Sequence, residues 1–466
     1  MENALLRHLQ KQVLTWLSWI STWKMIASCD NIIAGCYLAA MRLDIPSMIV
    51  TGGSMQPGQH CGKTVVEADL DAARFSGADE ESLMEMEDNV CPSFGACPSM
   101  GTANTMQMLG EVLNLVLPGT STIPASDNAK LRKAREAGMY AVEMAKAGRR
   151  PSELITKEVL HNAIMFDMAV AGSTNAVLHL LSYGYELGIE LTLEDFERYA
   201  KDIPCINAVV PSGPYTVVDF HYAGGVMNVM KMLESKLFTD VTGMYGTTWS
   251  EMLAKVAPQE NKVIHSLERP LFHEPGLKIL RGNLSPNGAI VRPTAVYEEV
   301  KYMRGKAKVF EGDRAAFDAI QAGEIVPGDI IVIRYEGCKG APGMKELMLS
   351  IDALIGLGLH KSVGLISDAR FSGFNFGAII GHVSPEAYDG GNIALVQDGD
   401  EIVIDIPGGE VSMLVPDDEL ARRREKWVCP PLKEEKGCLN IYAKMCRPAE
   451  EGGAMQPWDL DARFKR

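Results

Sequence analysis

The chain of 466 residues carries 45 Lys and Arg against 60 Asp and Glu, a formal net charge of −15. That balance argues against nucleic acid or an anionic membrane surface as the main partner, yet permits an anionic small molecule wherever a bound cation reverses the local field. Apolar residues make up 47% of the chain, enough for a sizeable core, and ten cysteines with no CxxC pair disfavour a disulfide scaffold, a zinc ribbon and a thioredoxin-type site, which leaves reduced thiols of a cytoplasmic protein as the expectation.

The opening stretch LLRHLQKQVLTWLSWISTW sets Leu9, Val13, Trp16 and Ile20 at helical spacing. Arg7, His8, Lys11 and Gln12 interrupt it well short of the ~18 apolar residues of a membrane span, so an amphipathic helix is predicted. Residues 24–53 predict a βαβ unit. KMIAS is a short apolar run, NIIAGCYLAAMRL places Ile33, Tyr37, Ala40 and Met41 on one helical face, and SMIVTGG is a β-branched strand ending in glycines. Cys29 and Asp30 then fall at the end of a strand just before a helix, the crevice where open α/β sheets bind ligands.

The middle of the chain is predicted to be mostly helical. Met106, Leu109, Leu113 and Val116 space as one helix up to Pro118-Gly119, and residues 127–148 and 156–188 continue the pattern. Around residues 270–290 the texture turns rich in Pro and Gly, and a boundary is placed near 277. Beyond it strands dominate, in DIIVIRYEG, SVGLIS and EIVIDI, with DRAAFDAIQAG as a short helix capped by Asp313. No internal repeat is present.

Five stretches could carry chemistry. In Cys29-Asp30 a soft thiolate adjoins a hard carboxylate, so the pair could serve two metal centres; the competing reading is a core cysteine with Asp30 capping a helix that starts at Asn31. In CPSFGACPSMGTANTM, Cys97 sits just before a helix, where unpaired N–H groups favour a thiolate, and Cys91 is an alternative ligand. In RYEGCKGAPGMKE, Glu346 is a candidate hard-metal ligand and Arg334 and Lys339 are candidates for a substrate carboxylate, against solvated charges on a glycine-rich turn. In SDARFSGFNFG, Ser372 occupies a glycine-flanked turn after an apolar strand but lacks the GxSxG pattern. In AGSTNAVLHLL, Ser173, Thr174 and Asn175 either cap a helix or bond a polar ligand at its N-terminus. His179, His382 and Glu386 read as structural or loop residues.

The order of these motifs carries more weight than any one of them. CDNIIAGCYLAAMRLDIPSMIVTGGSM, GACPSMGTANTM with LPGT, AGSTNAVLHL, YEGCKGAPGMKE, SDARFSG, and GHVSPEA with GGNIALVQDGD follow one another. Together they resemble the dihydroxy-acid and sugar-acid (phosphogluconate-type) dehydratase family, from about residue 25 to the C-terminus. The resemblance implies an α/β protein: an N-terminal α/β domain with a parallel sheet, residues 1–277, and a C-terminal β-rich, barrel-like α/β domain, residues 278–466. It implies removal of water from a 2,3-dihydroxy carboxylic acid to give a 2-keto acid, with a [2Fe–2S] cluster and Mg²⁺. Carried over by residue, Cys29 and Cys97 become cluster ligands, Asp30 and Glu346 become Mg²⁺ ligands, and Ser372 becomes the base. Cys91 becomes structural, and Ser173, Thr174 and Asn175 become candidates for substrate binding. A homodimer or homotetramer is implied by the resemblance alone.

The chain also departs from that pattern. The family carries a third cluster cysteine and a further acidic Mg²⁺ ligand upstream of the Cys-Asp motif, whereas the 28 residues before Cys29 hold no Cys, no Asp and only Glu2. The family's carbamylated lysine is replaced by Asn31, which offers a neutral carbonyl oxygen. AGSTN stands for GGSTN, and Phe374 stands where a small or polar residue is common. These losses predict weaker retention of both metals, and raise a non-catalytic scaffold as the alternative class. The KGCLNIYAKM tail points to branched-chain dihydroxy acids, whereas SDAR in place of TDGR points to sugar acids.

Overall fold

The computed structural model describes residues 22–455, with only the backbone of Trp23, Asp30 and Ala68. The amphipathic helix expected over residues 9–20 lies outside the described residues.

The βαβ unit forms as the pattern demands. β1 (Trp23–Ala27) pairs in parallel with β2 (Ser47–Thr51), and α1 (Asp30–Leu43) connects them. Ile33, Tyr37, Ala40 and Met41 are all buried, which is the apolar face that their spacing gave. The helix begins one residue earlier than the capping alternative required: Cys29 is the N-cap and Asp30 the first helical residue. After a short hairpin, β3 (Gly58–His60) with β4 (Lys63–Val65), come α2 (Glu67–Phe75) and α3 (Glu80–Val90).

A helical core follows. It is built from α4 (Thr102–Val112), α5 (Asn128–Ala147), α6 (Lys157–Val170) and α7 (Asn175–Leu187). α4 stops at Val112 rather than running to Val116, because Asn114 adopts a left-handed backbone (φ 61°) and its side chain bonds the carbonyl of Leu154. Leu113 and Val116 keep the apolar spacing only because the turn beyond the helix is buried as well. Between α6 and α7 the chain reverses at Ala171, again with a left-handed backbone (φ 48°).

From Lys278 onward one eight-stranded sheet organises the chain. Its strands are β5 (Lys278–Leu280), β6 (Gly288–Val291), β7 (Tyr302–Phe310), β8 (Ile330–Ile333), β10 (Gly364–Ser367), β12 (Ile379–Ser384), β13 (Glu401–Asp405) and β14 (Glu410–Met413). Two more strands, β9 (Glu346–Leu347) and β11 (Arg370–Phe371), pair with each other in parallel. The large sheet runs β14-β13-β7-β8-β10-β12-β6-β5, with a parallel centre and antiparallel flanks. Arg281, just past β5, bonds Gly409 and Val411 on the β14 side, so the two edges nearly meet and the sheet is barrel-like. The burial patterns of β8, β10 and β12 are continuous, as expected for strands covered on both faces.

α8 (Asp313–Gln321) and α9 (Leu349–Gly356) pack against each other. Asp313 was expected to cap its own helix. Gly312 is the N-cap instead, and the buried Asp313 carboxylate accepts from the backbone N–H groups of Met348, Leu349 and Ser350, so it satisfies the start of α9. Among the described residues no helix is long and apolar enough to cross a membrane.

Candidate active site

Cys29, Cys97, Glu346 and Ser372, drawn from four separate motifs, line one cavity of about 330 Å³. Asp30 opens α1 beside Cys29, and its side chain lies outside the described part of the structure.

Each position follows from local chain geometry. Cys29 leaves β1 in an extended conformation (φ −104°, ψ 140°), and its carbonyl accepts from the N–H groups of Ile32 and Ile33. The loop carrying Cys97 bridges to the exit of β2, where Ala96 N–H donates to Gly53 (3.0 Å) and Met55 N–H donates to Ala96 (2.8 Å). Asn104 on α4 holds that loop from behind, donating to the carbonyls of Cys97 (2.6 Å) and Ser99 (2.8 Å). Because β1 and β2 are parallel neighbours, their C-terminal ends bring the two thiols to the same crevice.

The other wall comes from the C-terminal half. β9 and β11 pair with Glu346 opposite Arg370, and Ser372 is the first residue beyond β11. The turn at Ser372 reaches the start of α4 closely. A Cβ at Gly373 would stand 2.3 Å from Gly101 Cα, so only glycine permits this approach.

Arg292 locks the three loops that meet here. Its buried guanidinium donates to the carbonyls of Gly373 (2.6 Å), Gly172 (2.7 Å) and Met100 (3.3 Å). Burial pushes it down to about 10, partly offset by Asp167. Asp167, equally buried, is pushed well above the usual carboxylate range by burial, partly offset by Arg292.

A polar network backs the Glu346 carboxylate. Asn175 Nδ2 lies 2.5 Å from Glu346 Oε1, and 2.8 and 3.0 Å from Thr102 Oγ1 and the Phe371 carbonyl. Arg370 Nη1 stands 3.4 Å from Glu346 Oε1 and donates to Asn31 Oδ1 at 2.9 Å. Ser173 bonds Thr102 (2.8 Å) and accepts from the N–H of Asn175, and Thr174 is the backbone N-cap of α7. Ser173, Thr174 and Asn175 therefore stand behind the cavity wall rather than in it.

Sequence reading missed an acidic side of the same cavity, formed by Glu67 and Asp71 on α2 and Asp352 on α9. The i,i+4 spacing of Glu67 and Asp71 puts both on one helical face, a signal indistinguishable from a solvated surface. Burial, then Asp71, Asp313 and Glu67, push Asp352 up to about 7. Burial also raises the Cys97 thiol, against partial relief from Ser99, so the helix start that follows it does not by itself produce a thiolate.

Arg334 and Lys339 do not reach the cavity. Arg334 bonds the carbonyls of Ala394 and Val396 and pairs with Glu311, and Lys339 pairs with Asp389. Glu386 and His382 are buried rather than part of a polar loop. Burial raises Glu386 to about 8, and burial with Arg370 and His179 lowers His382 to about 3. His179 is likewise pushed down to about 3 by burial and Arg370, so both imidazoles are neutral.

Comparison with known proteins fits this geometry. Residues 16–252 match the family model for the dihydroxy-acid/6-phosphogluconate dehydratase N-terminal region, and residues 262–453 match the C-terminal one. The chain belongs to this dehydratase family. Proteins named dihydroxy-acid dehydratase from Clostridium novyi and Ignicoccus hospitalis are 41% and 43% identical to it, each over 93% of this chain and 79% of their own length. One from Synechocystis sp. is 42% identical over 92% of this chain and 77% of its own. The protein is accordingly a hydro-lyase.

The donors present fit the cluster and Mg²⁺ that the sequence resemblance implies in kind but not in number. Two thiols line the cavity, and among the described residues no three His, Cys, Asp or Glu side chains are grouped to hold one ion. The Asn31 oxygen, at the position where the resemblance implies an anionic ligand, is neutral and accepts from Arg370. Neither a complete cluster site nor a complete Mg²⁺ site is formed by the described residues alone.

Proposed function

We propose that the protein is a dihydroxy-acid dehydratase, converting a 2,3-dihydroxy carboxylic acid to the 2-keto acid, with branched-chain dihydroxy acids as the leading substrates. The observation that carries this is the convergence of Cys29, Cys97, Glu346 and Ser372, from both halves of the chain, on one cavity. The proposal includes a [2Fe–2S] cluster that Cys29 and Cys97 would help to hold and Mg²⁺ that Asp30 and Glu346 would help to hold. It extends to a cytoplasmic homo-oligomer working in branched-chain amino-acid synthesis. When bound, these groups would supply Lewis-acid polarisation of the hydroxyl that leaves from C3.

The chain's own residues account for the rest. Ser372 Oγ takes the proton from C2. The C2–H electron pair becomes the C2–C3 π bond as the C3–O bond breaks, and the departing hydroxide takes the proton now on Ser372 Oγ and leaves as water, which restores the base. The resulting enol gains a proton at C3 and gives up its C2 hydroxyl proton to solvent, which yields the keto acid. An ordinary serine is too weakly acidic to start this cycle. The Phe374 N–H, 3.3 Å from Ser372 Oγ, is a donor that favours the ionised form. Arg292, by holding the Gly373 carbonyl, fixes the turn on which Oγ sits.

The test is anaerobic purification and reconstitution with iron, sulfide and Mg²⁺, followed by assay of keto acid from 2,3-dihydroxy-3-methylbutanoate. Turnover with a loaded cluster supports the proposal. A loaded cluster with no keto acid from any dihydroxy acid overturns it.

A further inference from the structure

The residues around the base point to what the site accepts. Phe374, two positions after Ser372, is buried (8% exposed) and lines the cavity. Phe376 braces it edge to face, with ring centroids 5.1 Å apart at 88°. The Phe374 backbone N–H bonds Ser372 Oγ, which fixes the main chain that carries the ring beside the base. Met55 and Met348 add apolar surface to the same lining.

Among the described residues no Lys or Arg side chain lines the cavity, whereas Glu67, Asp71, Glu346 and Asp352 do. A phosphorylated sugar acid would bring its phosphate into a space with no cationic side chain and four carboxyl groups, an arrangement that costs affinity. A long polyhydroxy tail needs hydrogen-bond partners along its length, and the part of the wall formed by Phe374, Met55 and Met348 offers none. The volume of about 330 Å³ lies at the lower end of small-molecule sites, before any cofactor takes its share.

We infer that Phe374 is a specificity-determining residue: its ring closes the cavity to extended sugar acids and their phosphates and admits short dihydroxy acids with an aliphatic branch. This rests on the dehydratase reading above. The ring acts at the C3 substituent, where a methyl or ethyl branch gains apolar contact and a polyol chain loses water without compensation.

The experiment compares kcat/KM for 2,3-dihydroxy-3-methylbutanoate and for D-gluconate in the reconstituted full chain and in its Phe374→Ala and Phe374→Leu variants. The parent is expected to favour the branched acid by at least about 100-fold. Phe374→Ala should lower that preference at least about tenfold, and Phe374→Leu, which keeps an apolar filling and protects the fold, should fall between the two. A parent that turns over the branched acid while the preference stays within about twofold across all three proteins overturns this inference alone. So does a parent that prefers gluconate. A loaded parent that turns over neither acid overturns the dehydratase reading and this inference with it.

Discussion

The Arg370 guanidinium donates to the side-chain oxygen of Asn31 at 2.9 Å, joining residues 339 positions apart in the chain. Arg370 is itself buried, and its second polar neighbour at the site is Glu346. A neutral amide thus fills the position that faces a buried cation, and Arg370 shares the Glu346 carboxylate with any metal that binds there. Asn31→Asp turns the contact into a charge-assisted bond and should raise stability by about 1 kcal/mol, and it should also tighten Mn²⁺ binding followed by electron paramagnetic resonance. Asn31→Lys without bicarbonate sets two cations side by side and should lower stability by a similar amount. Equal melting temperatures for the parent and both variants would show that the contact is energetically silent.

Ala171 carries a side chain in a left-handed turn (φ 48°, ψ 53°) between α6 and α7. That backbone suits glycine, and an L-residue there is strained. Ala171→Gly should therefore stabilise the chain by about 1 kcal/mol, reversing the usual sense of an Ala-to-Gly change. Chemical denaturation of the two proteins measures it directly.

Arg292 binds three carbonyls and offsets the buried Asp167. Arg292→Met removes the donors and leaves the carboxyl group buried without its cation, at an expected cost of about 3 kcal/mol. Arg292→Lys keeps the charge but cannot span all three loops. It should retain more stability than the Met variant while lowering kcat, because the Ser372 turn loses an anchor. Unchanged kcat in a folded Lys variant would remove Arg292 from the account of the site.

Asp352 couples the acidic wall to pH. Its native value is raised to about 7, by burial first and then by Asp71, Asp313 and Glu67. Between about pH 4 and 7 the native state therefore holds a proton that the unfolded chain has lost. Stability contributed by this group falls as pH rises through that window and is level above it. In the metal-free protein, Asp352→Asn should flatten the dependence and be more stable than the parent at pH 8 by on the order of 2 kcal/mol. Parallel stability–pH curves for the two proteins would contradict this.

Taken singly, Cys29, Cys97, Glu346 and Ser372 each also read as a core thiol, a cap or a glycine-rich turn; they were legible as site candidates through the order of six motifs and the resemblance it carries. The acidic wall was not, since Glu67 and Asp71 on an amphipathic helix match the pattern of a solvated face, and only tertiary packing against α9 buries their neighbour Asp352. Asp313 misled for a related reason. Its position before a helix fits a cap, but a carboxylate satisfies whichever N–H groups packing presents, and those belong to α9. Arg292 had no sequence signal at all, because a lone arginine after a strand gains its role only when three distant loops converge.

The central claim is that Ser372 is the proton acceptor in this shared cavity. It is tested most directly by kcat/KM for keto-acid formation from 2,3-dihydroxy-3-methylbutanoate in the reconstituted chain and in Ser372→Ala, at matched iron and sulfide content. Loss of the base should lower kcat/KM by roughly 10²–10⁴-fold with cluster content unchanged. A loaded Ser372→Ala variant that keeps the parent's rate would contradict the account.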